Sequence, residues 1–553
     1  MNAPRPLALK VDHLVALMSV AIGDKAHHTH RQNPIPLTDI TGGILDYDEG
    51  KKRTFPILDA LASICVSNPE KQVVALGLQL KLSEGKLCLT IAQNEQVKSG
   101  LVNYLQQVWS MLQGMSVKFK AKRSALGQTA ESEQYRRVSP NIPDDVAWDS
   151  RIRLFRCIYL YTRDKNQKRV KKPLDTLAEF MERFYKSQGT QHTGSRADLD
   201  FAFRALRGAY KNFDSKVTVP QDDRFWESLY ALLEEATCAV TRIIQNHPVF
   251  CSVLVNEVAL DNERKNSVVF DLGHALQKLT SQHRNIQCLI AFANSPRLQS
   301  VLGCQLTIIT VPANPKRPIA LPLLAVNWKE IIQTMVPPHK SVGGKWVEKE
   351  AASLVSALAK HRNVNAPVHC ECALIEYYTK GAKSTRGLNR VPKVSNATTV
   401  PLGYRCEENR QPASGRADEW KVVGRKEGSA RSVKVSDQWK LVPPFNYIGV
   451  SKLSCAACQM WMDGYNKRGG KTFYTRGSHG KWYFPWATPR VGERELSHYM
   501  ISEITRTYYE HCRANERVRR LSDGSNSGMD HLGTSGKRRT QDLASALLET
   551  MRL

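Results

Sequence analysis

Four residues have the types and spacing to hold a metal ion and to work on a water molecule beside it. Cys455-Ala-Ala-Cys458 places two thiols at i and i+3 where a helical stretch begins. Both sulfurs can then point at one ion, and the helix N-terminus favours thiolate over thiol. A pair of this kind alone serves a redox dithiol as well as half of a zinc site. His369-Cys-Glu371, following Pro367 at the start of another expected helix, adds the rest. Residues i and i+2 of a helix point in different directions, so one can ligate while the other faces the ion's open position. His369, Cys455 and Cys458 as ligands leave a fourth position for water, whose pKa zinc lowers towards about 7. Glu371 would take a proton from that water and pass it to a leaving group. The competing arrangement is a closed structural site with Cys372 or Cys406 as fourth ligand. The domain would then be a non-catalytic, zinc-stabilised module that binds nucleic acid or another partner. Glu371 favours catalysis, since a structural site has no use for a carboxylate there.

A third element, Arg476-Gly-Ser-His479-Gly-Lys481, has no evident role in holding zinc. Arg476 or His479 could touch a phosphate or a base. Trp482, Tyr483 and Trp486 offer faces for stacking, although a hairpin over 471–486 whose aromatics enter the core accounts for them equally well. Gly464 to Thr472 looks like a phosphate-binding loop but misses its spacing by one residue and follows a helix instead of a strand.

The elements that must position these residues begin near Gln305. Leu306 to Val311 and Ile319 to Val326 read as buried strands bounded by Pro and Asn. A helix over Val347 to Arg362 follows, then one opening near Val368. Residues 380–440 are rich in Lys, Arg, Gly and Ser and read as a basic insertion. Phe445 to Val450 is strand-like, the segment from Cys455 to Tyr465 helical, and Glu493 to Arg513 a further helix. This order predicts an α/β domain over 301–515 with helices on both faces of a mixed sheet, ahead of a basic Ser/Gly-rich tail over 516–553. Residues 1–300 read as mainly helical, with helices at Asp149 to Tyr161, Pro173 to Tyr185 and Phe225 to Ile244. Between the first two, Lys165 to Lys172 carries five basic residues in eight and reads as a solvated loop. His27, His28 and His30 lack partners at metal-site spacing and read as a surface loop.

The chain of 553 residues is too long for one core, and its net charge of +27 points to an anionic partner. Residues 366–553 hold 31 basic and 18 acidic side chains, which makes this third denser in positive charge and the better candidate to meet nucleic acid or nucleotide phosphate. No apolar run reaches the 18 or so residues of a membrane span, and the first residues lack a secretory pattern. An intracellular protein, cytoplasmic or nuclear, is therefore expected, with its 13 cysteines mostly reduced.

His369-x-Glu371 followed by Cys455-x-x-Cys458 resembles the signature of zinc-dependent nucleobase deaminases. The finer resemblance is to the OTT-type, mainly fungal branch of nucleic acid/nucleotide deaminases. It is carried by His369 to Tyr378, Tyr447 to Cys458 and Tyr474 to Lys481, within about residues 345–490. It implies a cytidine-deaminase-like α/β/α sandwich with His369, Cys455 and Cys458 as Zn2+ ligands and Glu371 as proton shuttle. The implied reaction is hydrolytic deamination at C4 of cytosine or C6 of adenine. In that branch the Arg476–His479 stretch would border the active site. Ser454 departs from the pattern, standing where many deaminases have Pro.

Overall fold

The computed structural model describes residues 9–23, 55–70, 72–125, 147–186, 193–214, 222–246, 251, 270–313, 316–335, 344–386, 438–469 and 471–523. The His27–His30 cluster, Cys406, most of the basic insertion and the tail beyond Asp523 lie outside them.

The first helices are α1 (Val11–Ala21) and α2 (Pro56–Ile64), the latter opened by a proline in its first turn, where no backbone donor is needed. Next come two paired strands, β1 (Val74–Lys81) and β2 (Lys86–Gln93), whose antiparallel register runs from Val74 opposite Gln93 to Lys81 opposite Lys86. A long helical region follows, with α3 (Ser99–Ala125), α4 (Trp148–Tyr161), α5 (Arg163–Lys186), α6 (Thr193–Asp214), α7 (Asp223–Asn246) and α8 (Leu272–Asn294). The chain then returns to the sheet as β3 (Gln305–Thr310), parallel to β2. A separate antiparallel pair, β4 (Arg317–Ala320) and β5 (Asn363–Ala366), brackets α9 (Ala325–Met335) and α10 (Gly344–Ala357). The remaining elements are α11 (Cys370–Arg386), β6 (Gly449–Val450), α12 (Ala456–Lys467) and α13 (Glu493–Asp523).

The main sheet has the order β3-β2-β1-β6. One sheet therefore draws strands from both sides of residue 300, and its central pair comes from 74–93, a part of the chain in which the sequence shows no chemistry. Side chains alternate across β1, so Val74, Leu76 and Leu78 pack with Leu58 and Leu61 of α2, while Ala75 packs on the other face with Cys372 and Ile375 of α11. Helices thus cover both faces, and the fold is mixed, helix-rich α/β. Two glycines set the closeness of this packing. A Cβ on Gly77 would stand 2.1 Å from the Tyr378 hydroxyl, and one on Gly449 would stand 2.4 Å from the Leu58 carbonyl carbon. The first would have to displace a ring and the second a backbone, so α11 and α2 approach the sheet where side chains are absent.

Several local expectations change. Lys165 to Lys172 is the first part of α5 and not a loop: Lys165, Asn166 and Val170 are buried along one face at helical spacing. Ile319 to Val326 divides between β4 and the start of α9, because Pro322 interrupts the run. The hairpin over 471–486 does not form. Instead Tyr474 and Ser478 make parallel bridges to Tyr447 and Ser454, which extend the sheet's edge beside β6.

Candidate metal centre

His369 immediately precedes α11, and the helix start is capped from far away in sequence: the Cys370 amide donates to Asn94 Oδ1 at 3.0 Å. Asn94 lies just past the end of β2, so the sheet hairpin fixes where the His-Cys-Glu segment begins. Cys455 is the N-cap of α12, and its sulfur accepts from the Cys458 amide at 3.4 Å. The two helix starts face one another. His369 Nδ1 lies 3.6 Å from Cys455 Sγ and 3.3 Å from Cys458 Sγ. A tetrahedral ion with ordinary zinc–nitrogen and zinc–sulfur bonds sets such donors about 3.6 Å apart, so the three fit a common ion. Both cysteines are buried and His369 is half-buried. Among the described residues these three form the one group able to hold a metal.

The electrostatics also favour a cation. Burial pushes the Cys455 and Cys458 thiols well above their ordinary range; Cys458 raises Cys455 further, and Cys372 and Glu371 raise Cys458. Thiols so placed stay protonated unless a positive charge meets them, which a divalent ion does. Trp486, fully buried, donates its Nε1 to Cys458 Sγ at 3.2 Å. That bond suits a thiolate ligand and fixes its direction. The Cys372 thiol is hydrogen-bonded to Cys458 from within the core, where burial pushes it up to about 11, and it stays outside the three-donor group.

Glu371 is 4% exposed and accepts a 3.4 Å hydrogen bond from the Cys370 thiol at Oε2. Its charge reaches both His369 and Cys458, so it borders the donors without joining them. A buried carboxylate beside an open metal position is placed to exchange protons with whatever occupies it.

The Arg476–Lys481 segment runs alongside the start of α12. Ser454 N donates to Gly477 O, His479 N to Ser454 O, and Ala456 N to Lys481 O at 2.9–3.2 Å. Arg476 and His479 are therefore carried alongside the start of α12, Arg476 exposed and His479 half-buried against the Tyr483 ring. Of the three aromatics expected near them, Trp482 and Trp486 are buried in the core, and Tyr483 alone is exposed, at 46%. Sequence reasoning missed Asn94 and the Trp486–sulfur bond. Neither has a local signal, because each acts on a residue distant in the chain.

Residues 419–490 match the model of a family of OTT_1508-like deaminases. The matched segment contains Cys455, Cys458, Arg476, His479 and Trp486; His369 and Glu371 lie before it and join it only through the fold. No curated protein and no solved structure matches the chain. None of the described helices is long and apolar enough to cross a membrane. Over residues 419–490 the chain carries the sequence of a deaminase-like family, and this segment supplies two of the three donors of the buried His/Cys/Cys group.

Proposed function

We propose that this protein is a zinc-dependent hydrolase that removes the exocyclic amine of cytosine or adenine, within a nucleotide or nucleic acid. The observation that carries the reading is the convergence of His369, Cys455 and Cys458 with a buried carboxylate, Glu371, at their side. A zinc ion on these donors would supply a Lewis acid and bring the pKa of water to about 7. Glu371 takes one water proton as oxygen bonds to the ring carbon and passes it to the adjacent ring nitrogen; the remaining hydroxyl proton goes to the amine nitrogen as the C–N bond breaks, leaving a ring carbonyl and ammonia. Cys370 orients the Glu371 carboxylate, and Asn94 holds the turn that presents both. His369, half-buried, stands where a base would enter. The cytidine-deaminase-like sandwich implied by the resemblance agrees with a sheet covered on both faces and with the two helix starts meeting at its edge. The exposed Arg476 and Tyr483 are assigned to substrate contact.

The test is purified full chain, assayed for zinc content and for ammonia release from cytidine, adenosine, single-stranded DNA and RNA. Replacing Glu371→Gln should lower turnover about a hundredfold to ten-thousandfold while zinc stays bound. Stoichiometric zinc with no deamination on any substrate would replace this reading with the non-catalytic module, and equal turnover in the variant would remove Glu371 from the mechanism.

A further inference from the structure

The helical region and the metal-bearing region share a cluster of cations that neither shows alone. From α5, Lys165 reaches inward, 5% exposed, and donates to the Ser63 carbonyl at 2.6 Å and to Gln282 Oε1 at 3.4 Å. One turn further along, Arg169 is half-buried and makes no hydrogen bond or ion pair among the described residues. From α8, Arg284 donates Nη2 to the Gln277 carbonyl at 2.7 Å, while its Nε is buried with no partner. From the other side come Lys452, three residues before Cys455, and Arg476, both exposed at the rim.

These side chains are near enough to act on one another. After burial, the charges of Arg476 and Arg169 are what lower Arg284, to about 10. Burial and then Arg169 lower Lys165 to about 7, and burial and then Arg476 lower Arg169. Burial and then Arg169 lower Lys452, which brings the metal-bearing segment into the same group of cations. The carboxylate facing the group is Asp59, and it is already used: its oxygens accept from the Tyr447 hydroxyl and the Val450 amide. Crowding cations at the border of a low-dielectric interior without matching carboxylates is costly, and a bound anion removes that cost.

We propose that Lys165, Arg169, Arg284, Lys452 and Arg476 form a cleft that binds the phosphate of the substrate beside the metal centre, so that the helical region supplies half of the substrate site. Three arginines and two lysines suit a phosphate, which accepts bidentate guanidinium bonds through several oxygens. The buried Arg284 Nε would gain an acceptor there. The gradient from exposed Arg476 and Lys452 to buried Lys165 would draw the phosphate inward while the base reaches His369 and Glu371. This assignment of substrate class rests on the deaminase reading, but its test does not need turnover.

Calorimetric titration of the zinc-loaded full chain with cytidine and adenosine, their 5′-monophosphates and a single-stranded 15-mer separates the sources of phosphate. Tighter binding of the monophosphates than of the nucleosides assigns the cleft to a nucleotide. Binding of the 15-mer alone assigns it to a polymer backbone, and either result supports the cleft. Arg169→Gln with Arg476→Gln should weaken the phosphate-bearing probe at least tenfold, with a shallower salt dependence for the 15-mer. Wild-type affinity in that folded double variant, or no preference of the wild type for phosphate-bearing probes, would overturn the proposal. Turnover of the wild type separates the two readings: phosphate binding by a zinc-loaded wild-type chain that deaminates no base leaves the cleft standing and removes the deaminase.

Discussion

The metal-donor pocket and the proposed basic cleft are electrostatic opposites. In the pocket, burial holds two thiols protonated and brings an imidazole and a carboxylate beside them, an arrangement that gains most from a cation. In the cleft, guanidinium and ammonium groups crowd together, and burial lowers each of the inner ones, an arrangement that gains most from an anion. The pocket is assembled from two helix starts, which is the usual place for thiolates. The cleft is assembled from helix sides, α5 and α8, with its rim supplied by the metal-bearing segment. On the proposed function, recognition of a nucleotide would divide between the two parts, the base going to the metal side and the phosphate to the helical side.

The contrast can be broken most severely at a ligand. Cys458→Ser should leave the chain without stoichiometric zinc and lower its thermal midpoint, whereas a chelator should lower the midpoint of the wild type and not that of the variant; metal analysis and melting curves read both. A smaller effect is expected one bond further out. Trp486→Phe keeps the packing but loses the Nε1 donor to Cys458, so zinc affinity should fall about tenfold in a competition titration with the fold unchanged.

Asp59 stands between the two regions and gives a pH signature. Burial, opposed by Arg476 and the two hydrogen bonds, raises its carboxyl from 3.8 to about 6. A carboxyl that holds its proton more tightly in the folded state stabilises below the unfolded pKa, and that stability is lost as pH rises through the folded pKa. The unfolding free energy of the wild type relative to Asp59→Asn should therefore fall by on the order of 2–3 kcal/mol between pH 4 and pH 6.5. A flat difference across that window would mean that Arg476 already keeps Asp59 ionised. The smallest effect is in the cleft. Arg169→Gln removes one of the crowded cations and should raise the thermal midpoint by about 1–2 °C in the absence of anions, the reverse of what loss of a structural arginine does.

Much of the site was legible because its chemistry is local. The Cys-x-x-Cys spacing at a helix start, and the histidine two residues from a glutamate at another, name their donors without reference to distant parts of the chain. The helices at 149–161, 225–244 and 493–513 were legible from periodicity. Where the reading failed, a longer-range cause was at work. The basic run at 165–172 reads as a solvated loop because five charges in eight residues mask the helical spacing of Lys165, Asn166 and Val170. The aromatic segment at 471–486 reads as a hairpin, yet Tyr474 and Ser478 pair with strand residues some 25 positions earlier.

The amino-acid sequence by itself determined the donor types, their deaminase-like spacing and the excess of positive charge. It could do so because ligand chemistry and helix starts are properties of a few neighbouring residues. Only the tertiary structure decided that the hairpin of residues 74–93 forms the centre of the sheet beneath the site, that Asn94 caps the helix of Glu371, and that α5 and α8 bring their cations to the metal-bearing side. Those outcomes depend on packing between segments hundreds of residues apart, where close approach at Gly77 and Gly449, not local propensity, sets which faces meet.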